Sequence, residues 1–182
     1  MARLPAGAAV VYRAFGSKDA EAEGRALRQL ARARRLVFLV GADAELATRL
    51  GADGVHLPER LMHLAPRLRQ AHPNWLITTA AHAPRAIAAA GRLRLDAALV
   101  SAVFASESPS AGIPLGALRF AHLARSARLP IIALGGIDAR TASRLADSGA
   151  AGLAAIGGLA GRVAPHRPQA SSAREDRLGG AA

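Results

Sequence analysis

Pro130-Ile131-Ile132-Ala133-Leu134-Gly135-Gly136-Ile137 and, further on, Gly152-Leu153-Ala154-Ala155-Ile156-Gly157-Gly158 decide how this chain reads. Each is a short apolar run of the kind that forms a buried strand, and each ends on a glycine pair. Glycine at a strand's carboxyl end lets backbone amides approach an anion closely, and the start of a following helix adds partial positive charge. A single Gly-Gly can equally be a tight turn and nothing more. Two pairs at consecutive strand ends favour the anion, and barrels of eight βα units often hold phosphate in the loops after strands seven and eight. Gly135, Gly136, Gly157 and Gly158 are therefore the candidate phosphate ligands.

Outward from these runs, β-rich segments alternate with amphipathic Ala/Arg/Leu stretches, the pattern of parallel strands joined by crossover helices. Seven strands are predicted, at Ala8 to Phe15, Leu36 to Val40, Gly54 to Leu57, Trp75 to Thr79, Asp96 to Val100, Pro130 to Leu134 and Gly152 to Ala155. The helices between them are expected at Asp19 to Arg34, Ala44 to Leu50, Arg60 to Ala71, Pro84 to Ala90, Leu115 to Ser126 and Ala139 to Ser148, with Asp138 as a cap. Gly51-Ala52-Asp53-Gly54 and Gly149-Ala150-Ala151-Gly152 look like one helix-to-strand turn used twice. In that turn the first glycine serves a left-handed helix end and the second allows close packing. Such repetition suits a (β/α)8 TIM-barrel-like fold better than a doubly wound sheet. Residues 1–161 are expected to form the barrel domain and residues 162–182, rich in Pro, Ser, Arg and Gly, a disordered tail.

The 182 residues carry 24 Lys+Arg against 13 Asp+Glu, a net charge of +11, and all the basic residues but Lys18 are arginine. That field suits an anionic partner. Aromatic residues are only 3% of the chain, too few for base-stacking platforms, and the arginines are spread along helical segments, so nucleic acid is not expected. No apolar run approaches the roughly 20 residues of a membrane span, and no signal core follows Met1, so neither membrane insertion nor export is expected. Without any cysteine there is no disulfide framework, in keeping with the cytoplasm. No zinc-like spacing and no serine nucleophile motif is present.

GADGVHL at Gly51 to Leu57, SAVFAS at Ser101 to Ser106 and PIIALGGI at Pro130 to Ile137, in this order and spacing, resemble the thiamine phosphate synthase/TenI family. The resemblance runs from about Ala8 to Leu159. It implies a barrel of thiamine biosynthesis that binds a thiazole phosphate or similar phosphorylated small molecule. Synthases of the family are transferases that join a pyrimidine diphosphate to a thiazole phosphate, with magnesium balancing the leaving pyrophosphate. Carried over by position, Arg13 matches the arginine of the family's Gln-x-Arg-x-Lys strand end, while Val11 and Phe15 stand for the glutamine and lysine. His82 in Thr79-Ala80-Ala81-His82 matches the histidine of Ser-Thr-His, which makes Arg13 and His82 the candidate catalytic residues. Ser106 and Ser108 fall on the threonines of Phe-x-Thr-x-Thr-Lys and join the substrate-binding set, with Pro109 in the lysine's place.

The family's magnesium ligands are expected to be absent, since Gly41, Ala42 and Leu61 occupy their positions, and Asp43 and Glu59 are the only carboxylates nearby. No metal or other cofactor is therefore expected, and synthase activity is expected to be weak. The tautomerase branch places a histidine where this chain has Ser101-Ala102. A non-catalytic phosphate-ligand binder or a thiazole tautomerase-like isomerase are the alternatives. The chain opens on what matches the family's second strand, so an incomplete barrel with open edges, and with them a possible homo-oligomer, is expected.

Overall fold

The computed structural model describes residues 4–106 and 112–156. Seven strands are present, at Ala9–Tyr12 (β1), Val37–Gly41 (β2), Gly54–Leu57 (β3), Leu76–Ala81 (β4), Ala97–Val100 (β5), Ile131–Ala133 (β6) and Gly152–Leu153 (β7). All pair in parallel and lie side by side in chain order. Successive crossovers that always advance by one strand are the rule of a barrel, and an open doubly wound sheet would reverse direction midway. Among the described strands β1 pairs only with β2 and β7 only with β6, so the sheet is an incomplete barrel.

Alternation along the strands sorts their side chains onto two faces. Phe38, Val40, Val55, Leu57, Ile77, Val100 and Ile131 share one cluster with helical Ala31, Leu46, Ala90 and Phe120, so this face is covered by helices. On the other face Leu39 and Thr78 are each only 2% exposed and Ala97 is 6% exposed, although they stand outside that cluster. The sheet has to curl for this to happen, so that its inner face is covered by its own strands. At the β1 edge the curl runs out, and Val11 on the inner face is 36% exposed.

The helices are α1 (Ala20–Ala33), α2 (Ala44–Arg49), α3 (Ala65–Ala71), α4 (Pro84–Arg92) and α5 (Gly116–Ser126), with 3-10 turns at Glu59–Leu64 and Ala142–Leu145. Glu21 and Glu23 sit in the first turn of α1 and Arg32 in its last, each matched to the helix dipole. Asp43 caps α2 by accepting from Leu46 N at 2.8 Å. Two expected helices differ. The stretch Arg60 to Ala71 divides because Pro66 has no amide to give and its ring would crowd the carbonyl of Met62. The stretch Ala139 to Ser148 yields only the four-residue turn Ala142–Leu145, because local side chains take its backbone groups. Asp138 Oδ1 accepts from the amides of Arg140 and Thr141, both at 2.8 Å, and Thr141 Oγ1 donates to Gly136 O at 2.8 Å.

Gly51 and Gly149 both take the left-handed conformation, with φ of 57° and 80°, so the repeated turn is real. Its second glycine is required once. A Cβ on Gly54 would run into the backbone of Leu76, whereas one on Gly152 would meet only Ile132 at an ordinary 3.9 Å.

The aspartate of the repeated turn has a task of its own. Asp53 accepts from Phe38 N at 2.7 Å and from both terminal nitrogens of Arg28 on α1, at 2.9 and 2.8 Å. Asp96 does the same one strand pair later, accepting from Ile77 N at 2.6 Å and from Arg69 of α3. Each carboxylate ties a strand start to the preceding strand and to a helix. In the third pair Ala151 takes the equivalent place, its amide bonded to Ile131 O as that of Asp53 is to Phe38 O, but it brings no carboxylate. Asp53→Ala is expected to cost about 2–4 kcal/mol, because it strands the Arg28 charge and the Phe38 amide together. Urea unfolding is the measurement, and Asp53→Ala combined with Arg28→Met is expected to be more stable than Asp53→Ala alone.

Candidate functional site

The carboxyl ends of the strands collect the candidate residues at one rim of the curled sheet, the end where barrels carry their sites. Arg13 follows β1, Asp43 follows β2, Glu59 follows β3, His82 follows β4, Ser101 to Ser106 follow β5, and Gly135-Gly136 follow β6. Ser108, Gly157, Gly158 and the 162–182 segment lie outside the described residues.

Gly135 and Gly136 have φ of 92° and 64°, values that suit glycine. A Cβ on Gly135 would stand 2.9 Å from Ala102 Cα, and one on Gly136 would strike Phe104 and the carbonyl of Ala105. The glycine pair makes a tight turn against the β5 loop, and among the described residues nothing accepts from its two amides. The helix start expected behind it is only the short turn at Ala142–Leu145, too short to supply a dipole. Ser106 stands in the β5 loop that packs on this turn.

His82 is tied into the rim at three points. Its amide donates to Glu59 Oε2 at 3.0 Å, and its Nδ1 lies 3.2 Å from Ser101 O and 3.4 Å from Ser101 Oγ. Because a carbonyl only accepts, the shorter contact places the proton on Nδ1 and leaves Nε2 with its lone pair. Arg13 follows β1, three strands from His82, and its guanidinium is 4.5 Å from the ring centre of Phe15. The two candidate catalytic residues are not in contact.

A polar row crosses the inner face between them. Tyr12 pairs with Val40, Gly41 with His56, His56 with Thr78 and Thr78 with Ala97, so Arg13, Gly41, His56 and Thr78 follow one another from strand to strand. Gly41 makes room for it: a Cβ there would lie 2.8 Å from Arg13 Cγ. His56 Nδ1 is 3.0 Å from Thr78 Oγ1. Burial, and secondarily the charge of Arg13, pull the His56 pKa down to about 4. His56 lies within the strand predicted at Gly54 to Leu57, but the sequence alone does not assign it to this row. The signal was there in the alternation of Gly-Val-His-Leu and Leu-Ile-Thr-Thr, although the register between the two strands was not.

The magnesium-binding positions do not fit a metal. Asp43 is spent on the amide of Leu46 and Glu59 on that of His82, while Gly41, Ala42 and Leu61 have no side-chain oxygen. No cluster of three metal-ligating side chains occurs among the described residues. No described helix is long and apolar enough to cross a membrane.

A family profile described as thiamine monophosphate synthase matches residues 2–159. The chain belongs to that family. Among its relatives, the thiamine biosynthesis bifunctional protein ThiED of Geobacter sulfurreducens is 30% identical over 82% of this chain and 31% of its own length. The thiamine-phosphate synthase of Lysinibacillus sphaericus is 31% identical over 70% of this chain and 61% of its own. The chain thus spans less than two thirds of the length of these relatives. In structure, a thiamine phosphate pyrophosphorylase from Pyrococcus furiosus superposes with a TM-score of 0.70 at 24% identity, covering 81% of this chain and 71% of that one. The likeness to that solved structure concerns the fold, and it agrees with the seven parallel strands in chain order.

His56 gives this family member an acid-sensitive point. An unfolded histidine takes up a proton near pH 6.5, whereas folded His56 resists until about 4, so the native state loses stability as pH falls through that window. The full penalty is on the order of a few kcal/mol. Urea unfolding between about pH 7 and pH 4 is expected to show a shallower decline in His56→Gln than in the parent chain.

Proposed function

We propose that this chain binds a thiazole phosphate or a similar phosphorylated small molecule at the strand-end rim, and that it does so without magnesium-dependent synthase chemistry. The observation that carries this is the left-handed Gly135-Gly136 turn, whose two amides have no acceptor among the described residues. An anion of phosphate's size and charge is what such a turn recognises. Ser106 in the adjoining loop supports the reading with a hydroxyl, a second Gly-Gly pair in the sequence at Gly157 and Gly158 extends it, and the net charge of +11 favours an anion's approach. The relatives named as thiamine-phosphate synthases suggest the thiazole as the body of the ligand.

Synthase chemistry requires charge around a departing pyrophosphate. The carboxylates that would recruit a metal are turned to backbone amides, and Phe15 and Pro109 replace two of the family's cations. A second reading, isomerisation of the thiazole, is favoured by His82. Its Nδ1 rests on Ser101, the position at which the tautomerase branch has its own histidine, and its Nε2 is in the proton-accepting form. A 1,3-proton shift needs a base of that kind and no metal.

Titrating thiazole phosphate into labelled protein is expected to move the amide resonances of Gly135 and Gly136, and Ser106→Ala is expected to weaken binding by about three- to tenfold. Thiamine phosphate formation is expected to stay near background with or without EDTA. Robust turnover abolished by EDTA would show that Asp43 or Glu59 serves a metal after all. Thiazole isomerisation that vanishes in His82→Asn, with phosphate affinity retained, would establish the second reading.

A further inference from the structure

The amides of Gly135 and Gly136 carry only partial charge, and the turn behind them is too short to add a helix dipole. Just after the pair, Asp138 accepts from the amides of Thr141 and Arg140, which hold its carboxyl below the usual carboxylate range. A phosphate on the glycine turn therefore meets a carboxylate at close quarters and needs a full positive charge to balance both. Arg144 is the cation that the local structure brings there. Two chains of contact run to it from Gly136. Along the backbone, Thr141 Oγ1 donates to Gly136 O at 2.8 Å, and Arg144 N donates to Thr141 O at 3.1 Å. Through side chains, a Cβ on Gly136 would stand 2.8 Å from Phe104 Cβ, and the Arg144 guanidinium lies 4.7 Å from the centre of the Phe104 ring. One phenylalanine side chain thus reaches from the glycine turn to the guanidinium.

We propose that Arg144 is the charged half of the phosphate site, its guanidinium positioned by the ring of Phe104 to give its N–H groups to a phosphate held on the Gly135 and Gly136 amides. The proposal rests on the reading of a phosphorylated ligand at that turn and adds the residue that balances its charge. Arg144 is exposed, and among the described residues it has no ion pair and donates no side-chain hydrogen bond. A ring contact leaves a guanidinium without an acceptor for its N–H groups. It is also weaker than a charge-assisted hydrogen bond to phosphate, so the ring steers the cation without holding it back. Phe104 itself is buried in the core cluster, which makes it a fixed platform. The neighbouring arginines have other work. Arg125 donates to the carbonyl of Asp147, and the side-chain charge of Arg140 helps to keep Asp138 ionised. The shortened turn at Ala142–Leu145 gains a use by this reading: in place of a helix dipole aimed at the anion, it sets an arginine beside it.

Inorganic phosphate is the probe, titrated into labelled protein at constant ionic strength and followed at the Gly135 and Gly136 amides and at the side-chain Nε–H of Arg144. In the parent chain both sets of resonances are expected to move with one common affinity. Arg144→Gln is expected to weaken that affinity by about tenfold. Arg144→Lys, which keeps the charge and loses the planar fork, is expected to fall between the two. Because the side chain is exposed, both variants are expected to unfold at the parent's thermal midpoint. Arg140→Gln removes the same charge from the same segment, and it is expected to change the affinity by less than about twofold. Equal losses in Arg140→Gln and Arg144→Gln would overturn the proposal, since a general field would then account for both. An Arg144 resonance that stays still while the glycine amides shift would overturn it too. If the amides shift with unchanged affinity in Arg144→Gln, the phosphate reading of the turn stands and the assignment of Arg144 falls. If the glycine amides of the parent chain do not respond to phosphate at all, the reading of the turn fails, and the role of Arg144 with it.

Discussion

Parallel strands leave a difficulty at their starts, where the first amide of one strand points at a neighbour that has not yet begun. Here carboxylates solve it. Asp53 and Asp96 each accept from the start of the preceding strand and from an arginine on the helix that packs outside it. One side chain thus fixes register, helix position and charge at once, and the order of residues along the inner face follows from that register. Were β2 to slip by one residue against β3, His56 would no longer share a row with Gly41 and Arg13. The rim chemistry at one end of the sheet depends on the clamps at the other.

The division of labour between the two ends has an energetic sense. At the start of the strands Arg28 is 13% exposed and gives both terminal nitrogens to Asp53, an ion pair whose removal on one side is costly. At the carboxyl end the cations and amides are left open. Arg13 is exposed beside a phenyl ring, nothing among the described residues accepts from the Gly135-Gly136 amides, and His56 shares the inner-face row with Arg13. Unsatisfied groups gathered at one rim are what a ligand can complete. The same groups scattered through the core would only cost stability.

Much of this was legible in the sequence. All seven strands were placed, Gly54 to Leu57 to the residue, because apolar runs bounded by glycine, aspartate and proline leave little ambiguity. The misread elements share a cause. Arg60 to Ala71 and Ala139 to Ser148 have helical composition, but Pro66 in one, and Asp138 and Thr141 in the other, divert the backbone locally in ways that composition does not carry. The glycine pair at Gly135-Gly136 was legible as a turn, and it has the left-handed backbone of one. The polar row was not legible as a row. His56, Thr78 and Arg13 come from three strands, and what brings them together is the pairing register from β1 to β4, which a single sequence does not display.

The clamps also divide the sheet into a counting unit. Asp53 joins β2 to β3 and Asp96 joins β4 to β5, so strands are clamped two at a time, while no such carboxylate spans the boundaries β3/β4 and β5/β6. The next pair, β6 with β7, keeps the turn and the amide bond but has Ala151 where the carboxylate would be. Amide protons at the starts of β2 and β4 are locked by a charge, and that of Ile131, at the same place in the third pair, is not. The pair that leads into Gly135-Gly136 thus has the plainest footing of the three, and its opening is the one that amide exchange at Ile131 would register first.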